Sequence, residues 1–179
     1  MITQILGTNR TDSNTARLGR FVQKIYEKHG VALDNIDLKE LPNELFQPSA
    51  YAEKPPSFKP MTDKVLNSKG LLIIAPEYNG SFPGILKYFI DMLPFPESFE
   101  DRPVAFIGLA AGEWGSLRSV EQLQGIFSYR NAYIYPKRVF IPGAMQKFDA
   151  EGNFNDSKIV DLIEQQTAGF IDFIKCLKG

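Results

Sequence analysis

Residues 76–84 read PEYNGSFPG, from Pro76 to Gly84, between the apolar run LLIIA at 71–75 and the pattern ILKYFI at 85–90. A short apolar run of this kind suits a buried strand. Ile85, Leu86, Phe89, Ile90 and Leu93 recur at helical spacing, so a helix follows. The stretch therefore joins a strand to a helix. A plain connection does not need its two prolines and two glycines. Pro76 and Pro83 stiffen entry and exit, Gly80 and Gly84 admit close backbone approach, and Tyr78 offers an aromatic face. Glu77 is its only strong acid, and an exposed loop carboxylate is more often solvated or paired than catalytic. Such a loop suits a backbone displayed to a flat ligand.

Outward from this loop, strands and helices alternate. Residues 2–6 form an apolar run ending at Gly7, and Leu18, Phe21, Val22 and Ile25 mark a helix that Gly30 stops. A less buried strand is expected over 31–38. Five prolines, Pro42, Pro48, Pro55, Pro56 and Pro60, argue against regular structure in 42–60, and a loop of that length commonly has a function or covers a site. A short helix over 62–67 leads to the strand at 71–75. Pro94 and Pro96 end the next helix, a fourth strand spans 103–109, and Leu117, Val120, Leu123 and Phe127 mark another helix. A fifth strand over 132–141 is interrupted near Pro136, and the tail from Asp156 is helical. The alternation predicts an α/β fold with a parallel sheet covered on both faces. Ligands of such sheets bind at the carboxyl ends of the strands. The loops after Leu6, Ala75 and Leu109 all fall at that edge.

The chain has 179 residues, read as a single domain over 1–179, with 44% apolar and 23% charged residues. Twenty basic residues balance 21 acidic ones, which gives no general pull toward nucleic acid or a membrane surface. No stretch reaches membrane-span length and the N-terminus carries no signal-peptide pattern, so a cytoplasmic protein is expected. One cysteine, Cys176, excludes an internal disulfide and a cysteine-built metal site; near the end of the last helix it reads as buried or half-buried. One histidine, His29, falls where the first helix ends and reads as a cation at a helix C-terminus. No metal site and no Ser-His-Asp or Cys-His catalytic arrangement is expected.

The first loop, GTNRTDSNT at 7–15, is rich in donors and runs into a helix N-terminus, where free amides and the helix dipole favour an anion. Helix capping alone needs a single Ser or Asn. The run Thr8, Arg10, Ser13, Asn14 and Thr15 points further, to a phosphate. The loop is neither GxxxxGK[ST] nor GxGxxG, which leaves a mononucleotide phosphate rather than a nucleoside triphosphatase or a Rossmann dinucleotide site. The third loop, AAGEWGS at 110–116, offers Gly112 and Gly115 for close approach, with Trp114 as a wall or lid, or as packing.

These three stretches, GTNRTDSNT, APEYNGSFPGILKYFID and AAGEWGSLRSVEQLQGIF, resemble the NADPH-dependent FMN reductase family of flavodoxin-like proteins in order and spacing. The resemblance implies a three-layer sandwich with a five-stranded parallel sheet in order 2-1-3-4-5. It implies FMN as cofactor, with Thr8, Arg10, Ser13, Asn14 and Thr15 at the phosphate. Pro76, Glu77, Tyr78, Asn79, Gly80 and Ser81 then border the flavin ring, with Gly112 opposite. It also implies ping-pong hydride transfer from NADPH or NADH to FMN, and on to a small acceptor such as a flavin, quinone or azo compound. The cofactor carries the chemistry, so no side chain is assigned as catalytic. The resemblance also implies a homodimer or homotetramer, for which Phe95, Phe99, Tyr129, Tyr133 and Tyr135 are candidate surface aromatics. Two departures stand out: SNT at 13–15, where many members space the Ser and Asn, and Ala-Ala-Gly-Glu-Trp at 110–114. Arg10, Arg118 and Lys87 are the basic residues weighed for a nicotinamide ribose phosphate. Two alternatives stay open: a flavodoxin-type electron carrier without its own NAD(P)H oxidation, and a scaffold that has lost FMN.

Overall fold

A computed structural model of the chain describes residues 1–149 and 153–178. Six strands form one parallel sheet: β1 (Ile2–Leu6), β2 (Leu33–Asp37), β3 (Leu71–Pro76), β4 (Pro103–Leu109), β5 (Tyr133–Ile134) and β6 (Val139–Ile141). The order is β2-β1-β3-β4-β5, and β6 also pairs with β4. β5 pairs with the first residues of β4 and β6 with the last, so the strand expected over 132–141 runs in two pieces beside one neighbour. The gap contains Pro136, which has no amide for a ladder.

β1, β3 and β4 are buried at every residue, as strands covered on both faces must be. On one face lie α1 (Asn14–Lys28) and α5 (Ser157–Lys178), whose Leu18, Val22, Ile163 and Phe170 meet Leu72, Ile74 and Ile107. On the other lie α2 (Lys59–Leu66), α3 (Gly84–Met92) and α4 (Leu117–Tyr129), whose Val65, Leu86, Phe89 and Leu123 meet Ile5, Ile73 and Phe106. Alternate residues of each central strand feed the two cores. This is the flavodoxin-like doubly wound arrangement.

Several local expectations are corrected. Val31 donates to Tyr26 O and closes the end of α1, and Leu38 opens a 3₁₀ turn, so β2 is shorter than 31–38. The 42–60 segment is more regular than its prolines suggested, with 3₁₀ turns at Asn43–Phe46, Pro48–Tyr51 and Pro56–Phe58. Pro48 and Pro56 sit in first-turn positions that need no amide, while Leu45, Ala50 and Phe58 are buried. α2 likewise starts at Lys59, with Pro60 in its first turn. Cys176 is exposed rather than buried. Phe99 and Tyr135 belong to the core, whereas Phe95, Tyr129 and Tyr133 are exposed. His29 caps α1, with Nε2 3.3 Å from Glu164 of α5.

Two glycines position the site. A Cβ on Gly19 would lie 2.5 Å from Leu6 Cδ2, so α1 seats directly on the end of β1. A Cβ on Gly7 would lie 2.8 Å from Ile74 O, where the chain leaves β1 against β3.

Candidate functional site

The loops after β1, β3, β4 and β6 meet at one sheet edge around an open cleft of about 510 Å³. One end is the start of α1. Ser13 is the N-cap, and its hydroxyl accepts from Ala16 N at 3.1 Å. The amides of Asn14 and Thr15 open the helix and have no helical carbonyl behind them. Arg10, Thr11 and Asp12 complete this end of the cleft, with Asp12 at φ 52° turning the chain into the helix.

Thr8 does not line the cleft. It is buried, and its hydroxyl accepts from Arg10 N at 3.2 Å and lies 2.8 Å from the Tyr78 hydroxyl. The first loop and the PEYNG stretch are thereby joined. Asn14 Nδ2 donates to Ala144 O at 3.4 Å, and both residues line the cleft.

PEYNG forms a tight hairpin. Tyr78 N donates to Ser81 O at 2.7 Å and Ser81 N to Tyr78 O at 3.1 Å. Asn79 and Gly80 have φ of 53° and 77°, the left-handed pair a type I′ turn requires. Gly80 is therefore a turn residue, and a Cβ there or at Gly84 meets nothing within 4 Å. The hairpin is fixed from outside by Glu77 N to Leu109 O at 3.2 Å and by Ser81 Oγ donating to Gln122 Oε1 at 2.5 Å.

Pro76, Glu77 and Tyr78 line the cleft together with Arg10, Ser13, Asn14 and Thr15. Asn79, Gly80, Ser81 and Gly112 lie outside that lining. Glu77 has Oε1 3.7 Å from Arg118 Nη1, while its Oε2 is buried with no hydrogen-bond partner among the described residues. Of the other cations weighed, Lys87 is tied to Asp91, with Nζ 2.7 Å from both oxygens.

The third loop divides its glycines. A Cβ on Gly115, at φ 55°, would lie 2.7 Å from Ile141 N, so this residue serves contact between loop and β6. Gly112 has open space. Trp114 is 60% exposed and does not pack in the core.

The sequence reading missed the loop after β6. Ala144 N donates to Ala110 O at 2.8 Å and Gly143 N to Gly112 O at 3.3 Å, and Ala144 and Met145 line the cleft with Leu109, Ala110 and Ala111. The rule that placed the other loops at this edge applies equally to the segment after Ile141.

Residues 1–146 match the family model described as NADPH-dependent FMN reductase. An NAD(P)H-dependent FMN reductase of Pseudomonas aeruginosa is 30% identical over 154 residues, covering 84% of this chain and 82% of that protein. An NADPH:quinone oxidoreductase of Arabidopsis thaliana is 29% identical over 154 residues, covering 84% and 78%. The solved structure of FerB, a flavoenzyme NAD(P)H:(acceptor) oxidoreductase from Paracoccus denitrificans, superposes with a TM-score of 0.80 at 24% identity, covering 97% of this chain and 96% of that one. The chain belongs to the NADPH-dependent FMN reductase family and is an NAD(P)H-dependent oxidoreductase that works with FMN.

Proposed function

We propose that the cleft holds FMN with its phosphate at the N-terminus of α1 and its ring along the hairpin, and that its open side admits NAD(P)H and then a quinone-like acceptor in turn. One observation carries this reading. A single cleft joins a helix start with free amides to an apolar wall that ends on an externally braced hairpin. The residues fit the group. The amides of Asn14 and Thr15 and the side chain of Arg10 suit a phosphate, and the Ser13 hydroxyl still has a proton to donate. Thr8 acts one step back, holding Arg10 N and the Tyr78 hydroxyl. Pro76, Glu77 and Tyr78 face the ring, Asn79, Gly80 and Ser81 set the hairpin's shape, and Gly112 follows the lining residues Ala110 and Ala111.

When bound, FMN supplies hydride exchange with a reduced nicotinamide and electron delivery to an acceptor. The chain's own work is to bind, orient and leave one face uncovered, which explains a cleft without a histidine base. Leu109, Ala110, Ala111, Ala144 and Met145 give it an apolar wall, suited to a flat and weakly polar acceptor. The quinone in the Arabidopsis relative's name agrees with that chemistry.

The exposed Phe95, Tyr129 and Tyr133 support assembly into a homodimer or homotetramer, testable by sedimentation. A cytoplasmic location fits the free thiol of Cys176 and the absence, among the described residues, of any helix long and apolar enough to cross a membrane.

The test is anaerobic spectroscopy. Purified protein with FMN should show flavin bands that NADPH or NADH bleaches and a quinone restores. Bands that neither nicotinamide bleaches would replace the enzyme reading with a flavodoxin-type carrier.

A further inference from the structure

Two carboxylates line the cleft. Asp12 is exposed at the α1 end, whereas Glu77, on the hairpin side, has a side chain only 16% exposed. Glu77 is poorly neutralised. Its Oε1 is 3.7 Å from Arg118 Nη1, beyond a normal hydrogen bond, and Arg118 is itself 57% exposed, so water weakens the pairing. Its Oε2 is buried and has no donor among the described residues. Buried carboxylate oxygens are ordinarily hydrogen-bonded, because an uncompensated charge in a poorly polarisable site is costly. The cleft that Glu77 lines also carries the apolar residues Leu109, Ala110 and Ala111, which screen little.

We propose that Glu77 is a tuning residue of the flavin site: its charge makes bound FMN harder to reduce, and Arg118 partly offsets it. This inference rests on the reading of the cleft as the FMN site. Electrons added to a ring beside a fixed negative charge raise its energy, so the carboxylate disfavours reduced FMN more than oxidised FMN. The logarithm of the ratio of the two affinities sets the shift in midpoint potential from that of free FMN. A tenfold ratio corresponds to about 30 mV for a two-electron couple. The direction suits a donor, since a lower potential drives electrons outward to weak acceptors.

The test measures midpoint potential by spectroelectrochemical titration, and FMN affinity by fluorescence quenching, on wild type and three variants. Glu77→Gln keeps the shape of the side chain and should raise the potential by about 30 mV, a tenfold gain for the reduced form. Arg118→Gln, at an exposed position, should lower it and keeps the idea testable if the Glu77 variant fails to fold. Gln122→Ala removes a neutral brace on Ser81 and separates shape from charge. It should weaken both redox forms equally and leave the potential at the wild-type value.

A Glu77→Gln potential equal to or below wild type, with FMN still bound, would overturn the proposal. So would an equal upward shift in Gln122→Ala, which would assign the effect to hairpin shape. Failure of the wild type to bind FMN would overturn the reading of the site, and this inference with it. The quenching titration tells these failures apart.

Discussion

The two ends of the cleft are built on opposite plans. At the α1 end, polar side chains abound, yet most already bond within the chain. Ser13 caps the helix, Thr8 holds Tyr78, and Asn14 reaches Ala144. What remains for an anion is chiefly backbone amide and the Arg10 charge. At the hairpin end few side chains contribute, and shape comes from two left-handed residues, Asn79 and Gly80. In the first case donor-rich sequence is partly scaffolding, and in the second a glycine sets the geometry of a turn. Residue type tells which bonds are available; only the fold tells which are already made.

That contrast can be attacked through the glycines. Gly115→Ala sets a Cβ 2.7 Å from Ile141 N in a left-handed backbone, and should cost about 2–4 kcal/mol of stability, read as a lower urea midpoint at unchanged slope. Gly80→Ala meets no atom within 4 Å, so only the left-handed penalty of about 1–2 kcal/mol applies. It should weaken FMN binding while leaving inorganic phosphate binding unchanged. Equal destabilisation by the two substitutions would erase the distinction between a packing glycine and a turn glycine.

Ser13→Ala tests the other end. Loss of the N-cap should cost about 1 kcal/mol, and FMN affinity should fall while riboflavin affinity holds. Tyr78→Phe removes the tie to Thr8, at a cost of about 0.5–1.5 kcal/mol, and isolates the joint between the two ends. A riboflavin affinity that falls with FMN affinity in this variant would locate the effect at the ring.

The smallest effect lies away from the cleft. Asp156 accepts from Lys147 Nζ at 2.5 Å and from Ile159 N at 3.2 Å, and the Lys147 bond chiefly holds its carboxyl below the ordinary value. A depressed folded pKa contributes stability above the unfolded pKa. That contribution fades as pH falls below about 4 and through the depressed value. Asp156→Asn should flatten this part of the acid unfolding profile and leave the rest of it alone.

Much of the fold was legible because apolar runs and helical stripes alternate without ambiguity, and Pro136 marked the break between β5 and β6. The cleft was legible where loops carry unusual residues, in GTNRTDSNT and PEYNGSFPG. It was not legible where the decisive fact is a neighbour. Gly112 and Gly115 stand alike in AAGEWGS, yet only Gly115 lies against the backbone of Ile141. The wall from Ala144 and Met145 comes from small or apolar residues with no polar signature, and strand order alone pointed to it. The turns in 42–60 were hidden because proline disfavours helix interiors but suits first-turn positions.

The most direct measurement compares the affinities of FMN and riboflavin for the wild type and for Arg10→Ala. The two ligands differ only by the phosphate. If that group sits at the start of α1, FMN should bind about tenfold or more tightly than riboflavin, and the gap should narrow in Arg10→Ala. Equal affinities in the wild type, or a gap that Arg10→Ala leaves untouched, would contradict the placement of the phosphate in this cleft.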